Sequence, residues 1–364
     1  DQLSVNFALW STGTKWQPIF SENQSLRSHR DFAYFGHGTN SGWPATPLSP
    51  GTEANAAPVP MAPIRAFDSN KAASRPGVDI VVCVHDALDD VKHCLLSVVA
   101  ARRPQDNLVI VDDASAKATA DFLDQFECQH ENVAIHRNPP PARGYCRAAN
   151  VGMRSARSEF VLLLNSDAVL PRNGIDKLVR AVASHPDVAV VGPMSNAASF
   201  QSIPDINSSP GQTAINSLPE GYTVDDLDLW CEDQACGKAY AGVPLIHGFC
   251  QLIRKAVLDQ VGIFDEAMFP EGYGEENDFC FRVAEQGWEL LVAIDTYVYH
   301  RKSASYSDPD RRERLMKRGA RQLRDRYGND RLSNAIAAMQ SHPELQAMRE
   351  TARQELQGVV GAVE

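Results

Sequence analysis

Asp167 closes the stretch Val161–Leu170, VLLLNSDAVL, where four apolar residues break into Asn165, Ser166 and Asp167. The apolar run suits a strand buried on both faces of a parallel sheet. A carboxylate at the end of such a strand sits at the carboxyl edge of the sheet, where open α/β folds bind ligands. One Asp there can hold a hard divalent cation through oxygen, with phosphates as the other ligands. It can equally close an Asx turn. Two more strand ends carry carboxylates: Asp86 after IVVCVH, and Asp112 with Asp113 after LVIV. In a parallel sheet these ends share one edge, so the groups can line one crevice. Asp113 can accept from a base N–H or a ribose hydroxyl, or again form a turn. Further on, GYGEENDFCFR places Glu275, Glu276 and Asp278 behind Gly272 and Gly274. Taken alone, those acids also read as a helix start favoured by the macrodipole. His300 follows the last apolar segment, a position where a lone His is more often plain surface.

The elements that must position these groups follow from the apolar spacing. Val78–Val84 reads as a buried strand, and Leu88, Val91, Cys94, Leu95, Val98 and Val99 repeat at helical spacing. Leu108–Val111 predicts a second strand, Phe122, Leu123 and Phe126 a helix, and Val133–His136 a third strand. Gly144 to Arg157 reads as a helix whose Ala148, Ala149, Gly152 and Ala156 allow close packing. After the strand at Val161–Leu164 come a helix through Ile175, Leu178, Val179 and Val182, then a strand at Val188–Val191. This alternation with short links predicts a mostly parallel sheet covered on both faces. Residues 195–242 read as a polar, irregular insertion of the kind that forms a substrate loop. Pro244–Arg254 then reads as a strand, Lys255–Val261 as a short helix and Glu275–Trp288 as a helix, and Leu290–Ile294 with Tyr297–His300 closes the sheet.

Composition bounds the function. The 364 residues carry 35 Lys and Arg against 46 Asp and Glu, a net charge of −11. That disfavours nucleic acid as the main partner, since a phosphate backbone needs a basic surface. No apolar run approaches the roughly 20 residues of a membrane span. The eight cysteines are scattered without a CxxC pair, which suggests reduced thiols in a cytosolic protein. Residues 1–74 are rich in Ser, Asn, Pro and Gly, yet hold Trp10, Trp16, Phe20, Phe32, Tyr34, Phe35 and Trp43. They read as an irregular arm that packs on something, with a flexible stretch near Glu53–Pro63. Residues 303–364 read as a helical extension, with Arg311, Arg312, Arg314, Lys317, Arg318, Arg321, Arg324 and Arg326 in one basic run. That run suits a solvated helix face, or contact with an anionic acceptor or an anionic membrane. No GxGxxG follows the first strand and no GxxxxGK[ST] is present, which disfavours a dinucleotide site and excludes a P-loop.

IVVCVHD, LVIVDDAS, NVGMRSARSEFVLLLNSDAVL and GYGEENDFCFR, in that order, resemble a family 2 glycosyltransferase of the GT-A fold, over about residues 76–302. The resemblance implies transfer of a sugar from a nucleotide-diphosphate donor, UDP or dTDP, with Mn²⁺ or Mg²⁺ and with inversion. By position it implies that Val84, His85 and Asp86 meet the nucleoside and that Asp113, beside Asp112, reads the base. Arg143, Gly144, Asn150 and Ser166 would lie toward the nucleotide. Asp167 matches the metal motif, whose first Asp is Asn165 here, so Asp167 carries the metal's charge alone. His300 would complete the metal or pyrophosphate site. Glu276 would be the catalytic base, flanked by Glu275 and Asp278. The implied acceptor is a saccharide or lipid-linked saccharide of bacterial surface polysaccharide synthesis, and the expected place is the cytoplasm, at the inner face of the plasma membrane. Two alternatives share such a fold. A nucleotidylyltransferase needs a Gly-rich, Arg-containing loop where this chain has Val84-His85-Asp86. A non-catalytic sugar-nucleotide or glycan-binding module predicts damaged motifs, and Asn165 is the one departure in that direction.

Overall fold

A computed structural model describes residues 63–68, 74–209, 212–302 and 309–356. The aromatic arm and the Glu53–Pro63 stretch lie almost wholly outside these residues. The strands are β1 (Val78–Val84), β2 (Asn107–Asp113), β3 (Val133–Asn138), β4 (Phe160–Asn165), β5 (Ala168–Val169), β6 (Val188–Met194), β7 (Asn207–Ser209), β8 (Gln212–Thr213), β9 (Ala241–Gly242), β10 (Cys250–Arg254), β11 (Glu289–Tyr297) and β12 (Tyr299–His300). The helices are α1 (Leu88–Ala101), α2 (Lys117–Gln129), α3 (Tyr145–Ser155), α4 (Gly174–Val182), α5 (Val224–Ala235), α6 (Lys255–Val261), α7 (Glu275–Glu285), α8 (Pro309–Ser341) and α9 (Pro343–Leu356).

Eight strands form one sheet in the order β3-β2-β1-β4-β10-β6-β11-β9. The β3-β2-β1-β4 half is parallel throughout, while β10 runs antiparallel between β4 and β6. The mostly parallel, helix-flanked sheet expected from the sequence is therefore present. Ile80, Val82, Leu162 and Leu164 are fully or almost fully buried, as strands covered on both faces require. Register sets the site: Val84 pairs with Asp112 and Cys83 with Asn165, so three strand ends stop side by side.

Four expectations change. Residues 195–242 are not irregular: Ser195 to Ser202 are buried, and α5 forms behind a Thr223–Asp226 capping box. Its three acidic residues in VDDLDLW obscured a helix that packs on β11. Pro244–Arg254 is a strand only at Cys250–Arg254. The final apolar segment is one long strand through Asp295 and Thr296, which are wholly buried. Asp295 is matched there by Arg180 and Tyr240. Tyr299 and His300 leave that sheet and pair with β5 in a separate two-stranded ribbon.

Charge inside the fold is matched locally. Lys177 is fully buried, 2.7 Å from Asp228 and donating to the Asp295 carbonyl at 2.6 Å. Burial pushes Asp228 up to about 6 although Lys177 opposes it. Ile64 joins the core and bonds to the backbone of Gly237 and Lys238, so the end of the N-terminal arm packs on the sheet domain. Among the cysteines, Cys128 and Cys236 are exposed and the others are buried or half-buried free thiols. No described helix is long and apolar enough to cross a membrane.

Three arginines of the α8 basic run are spent on acids of the sheet domain. Arg311 and Arg318 reach Glu271 at 2.9 and 3.3 Å, and Arg326 reaches Asp265 at 3.1 Å and Asp278 at 2.6 Å. These acids lie at least 40 residues earlier, so no local pattern announces them. Arg314, Lys317 and Arg321 are exposed, and Lys317 and Arg321 pair with Glu313 and Asp325 along the helix.

Candidate active site

The β5–β12 ribbon builds the first half of the site. Ala168 pairs with His300, and the Arg301 amide donates to the Asp167 carbonyl at 2.9 Å. The His300 Nε2 consequently lies 3.3 Å from Asp167 Oδ1, with both side chains buried. The His300 Nδ1 lies 3.0 Å from the Ala197 carbonyl, which can only accept, so Nδ1 carries the proton. Nε2 then faces an anionic oxygen. A cation shared with Asp167 would suit that contact. Burial pushes Asp167 upward, but the charge and hydrogen bond of His300, with the Lys302 charge, hold it below the usual carboxylate range.

These two residues fit a divalent cation. An imidazole whose far nitrogen is fixed on a carbonyl is the usual form of a metal-binding His, and a carboxylate oxygen completes the pair. Two protein ligands leave further positions for phosphate oxygens and water. Among the described residues no group of three His, Cys, Asp or Glu forms a closed metal cage. Asn165 is the half-buried last residue of β4, and half-buried Ser166 forms the turn with Asp167.

The second half is a pair of touching loops. Asp113 accepts from Asn138 at 2.8 Å and from the backbone amides of Arg143 and Gly144 at 2.8 and 2.7 Å. Its carboxylate anchors the loop expected to lie against the nucleotide. A Cβ on Gly144, where φ is +92°, would sit 2.9 Å from the Glu271 backbone, so this loop rests on the approach to the acidic motif. His85 bonds through Nδ1 to the Asp113 carbonyl at 2.9 Å, beside buried Val84.

The acidic motif starts α7. Gly272, Tyr273 and Gly274 all take positive φ, and the turn delivers Glu275 and Glu276 buried at the helix N-terminus. Glu276 accepts from the Gly274 amide at 3.3 Å and lies against Gly248. It lines a cleft with Ala198, Phe200, Leu245, His247 and Met339. Glu275 turns toward Gly272 instead. Burial, then the charge of Glu276, pushes Glu275 up to about 8.

Four expected residues have other work. Asp86 sits at φ +55° and its carboxylate accepts from the Ala116 amide at 2.6 Å, tying the β1 turn to the start of α2. Asp112 accepts from Ser115 and pairs with Arg137. Asn150 is fully buried. Both its N–H groups are spent, on the Phe264 carbonyl and Glu266, and its oxygen accepts from the Phe264 amide. It has no donor left for a nucleotide and instead pins 264–266 to α3. Asp278 is likewise fully buried, accepting from Arg282, Arg326 and Tyr327, so its catalytic assignment gives way to a structural one.

Residues 76–322 match the family described as glycosyltransferase like family 2. The chain belongs to glycosyltransferase family 2. It is 26% identical over 227 residues to a pre-mycofactocin glycosyltransferase of Mycobacterium tuberculosis, covering 62% of this chain and 43% of that one. It is 23% identical over 215 residues to a low-salt glycan biosynthesis hexosyltransferase of Haloferax volcanii, covering 57% and 62%. The chain thus spans less than half the length of the first of these relatives. Its fold is similar to a mannosyltransferase of Pyrobaculum calidifontis in complex with GDP-Man and Mn²⁺, with a TM-score of 0.51 at 17% identity over 84% of this chain and 79% of that one. It is also similar to GalNAc-T7 with UDP, GalNAc and Mn²⁺, with a TM-score of 0.52 at 16% identity over 79% and 57%.

Three residues of this family 2 domain were not singled out as site residues from the sequence. Asn196 brackets the His300 backbone, accepting from its amide at 2.7 Å and donating to its carbonyl at 2.9 Å. His247 lines the Glu276 cleft, with its ring 6.0 Å from that of His300, and thus joins the two halves of the site. Burial, with the charges of Lys302 and His300, holds His247 well below the usual histidine range, so it is neutral. Tyr145 donates to the Gly248 carbonyl at 3.3 Å, and burial with the charges of Cys83, Glu275 and Glu276 raises its phenol. Asn196 lay in a polar stretch with no periodicity, and His247 and Tyr145 were lone residues beside glycines.

Proposed function

We propose that the chain is a metal-dependent, inverting glycosyltransferase that moves a sugar from a UDP or dTDP donor to a saccharide or lipid-linked saccharide hydroxyl in bacterial surface polysaccharide synthesis. The observation that carries this reading is the placement of an Asp167–His300 pair and a buried Glu276 on either side of His247. Asp167 and His300 would hold Mn²⁺ or Mg²⁺. The bound ion supplies neutralisation of the charge that develops on the departing diphosphate. Glu276 accepts the proton of the acceptor hydroxyl. The hydroxyl oxygen bonds to the anomeric carbon as the bond from that carbon to the phosphate oxygen breaks, and the nucleoside diphosphate leaves with the electron pair. The Mn²⁺-bound solved neighbours and the glycan-building relatives support the reading.

The test is turnover with a panel of nucleotide sugars and Mn²⁺, followed by the anomeric proton coupling of the product. Inversion is expected. Glu276→Gln should keep donor affinity and lose transfer by about two to four orders of magnitude, the usual worth of a general base. Retained configuration or near-normal turnover in that variant would overturn the assignment.

A further inference from the structure

Helix α8 lies outside the strand-and-helix frame that holds the site, yet it is seated on the turn that carries Glu276. A Cβ built on Gly319 would fall 1.7 Å from the Tyr273 carbonyl oxygen and 2.8 Å from its carbon. The helix backbone therefore rests directly on the peptide between Tyr273 and Gly274, an approach open only to glycine. The same helix grips both flanks of that turn. Arg311 and Arg318 hold Glu271 on one side, and Arg326 with Tyr327 holds Asp278 on the other. Leu323 lies against Gly274. Gly272, Tyr273 and Gly274 all sit at positive φ, a conformation with little preference of its own for one geometry in a glycine-rich turn.

We propose that Gly319 is a positioning residue: by letting α8 seat on the Tyr273 carbonyl, it fixes the 272–274 turn and thereby the place of Glu276 in the cleft. This rests on Glu276 as the base. A bulkier residue at 319 must push the turn, and a displacement near 1 Å at a reacting group costs up to about a hundredfold in rate.

Gly319→Ala should lower kcat for transfer about 10–100-fold while donor Kd stays the same. In the Glu276→Gln background the same substitution should cause no further loss, because residues acting through one group are not additive. Arg311→Ala with Arg318→Ala loosens the turn without a clash and covers the case in which Gly319→Ala does not fold. It should lower kcat in the same direction, with recovery in the double lysine variant, while Arg321→Ala on the outer face changes nothing. Normal transfer by Gly319→Ala, or losses that add to those of Glu276→Gln, would overturn the proposal. Normal transfer by Glu276→Gln alone would instead overturn the base assignment on which it rests.

Discussion

Ala168 and His300 are partners across a ribbon of two short strands, and this pairing brings the His300 ring to 3.3 Å from Asp167. Asp167 and His300 are 133 positions apart by numbering, yet one backbone pairing sets the imidazole against the carboxylate.

Removing Asp167 should therefore separate metal from fold. Asp167→Ala is expected to abolish the Mn²⁺-dependent part of donor binding while circular dichroism stays unchanged. A thermal-shift series with UDP-sugars, with and without Mn²⁺, reads this, since a ligand bound to the native state stabilises it by mass action. An unchanged Mn²⁺-dependent shift would remove Asp167 from the site.

Asn196 touches no substrate in this scheme, but it brackets the backbone of His300. Asn196→Ala should weaken Mn²⁺ affinity about 10–100-fold, the usual effect of losing an outer partner of a ligating His. Calorimetric titration of Mn²⁺ in the presence of UDP checks it. Parent-like affinity would mean that the ribbon alone orients the ring.

Glu275 gives a stability signature. In the native state it is pushed up to about 8 by burial and by Glu276, whereas in the unfolded chain a Glu ionises near about 4.3. Between these values the native state binds more protons than the unfolded one, so stability falls as pH rises. Thermal melts from pH 5 to 8 should show a shallower decline for Glu275→Gln than for the parent, with the variant the more stable at pH 8. Parallel curves would show Glu275 ionised throughout.

Asp278 and Glu276 are two residues apart on a helix, which sends them to nearly opposite sides. Glu276 faces the cleft and Asp278 faces α8. Asp278→Asn should cost about 1–3 kcal/mol of stability through weakened bonds to Arg282, Arg326 and Tyr327. Turnover per folded molecule should change far less than in Glu276→Gln. Denaturant melts beside kinetics on the same sample separate the two; a loss of turnover matching that of Glu276→Gln would return Asp278 to the chemistry.

The same geometry explains what the sequence disclosed and what it concealed. The ends of β1, β2 and β4 were legible because strands covered on both faces must be apolar until they stop, and the stop is marked by Asp or Asn. Asp167 and His300 could be named individually, but the β5–β12 ribbon that joins them is only two residues wide on each side. Asn150 was set toward the nucleotide by its position in the family pattern, which does not say which face of α3 meets the crevice. Helix α5 was hidden by Asp225, Asp226 and Asp228, since only Leu227, Cys231 and Ala235 mark its buried stripe, with Asp228 buried against Lys177. The arginines of α8 looked available because their partners are remote in sequence.

The seat of Gly319 on Tyr273 also bears on where this protein can be cut or recombined. The strand-and-helix frame looks like a portable cassette that ends with β12, and the family match itself stops at residue 322, inside α8. A cut at either point would strip Asp278 of Arg326 and Tyr327; a cut after β12 would also open the Tyr273 peptide to water. A chimera that borrows this domain without residues 309–327 would inherit the acidic motif and lose its backing. The inheritable unit is the frame together with the first half of α8, so exchange among relatives that differ in their extensions must carry that helix along.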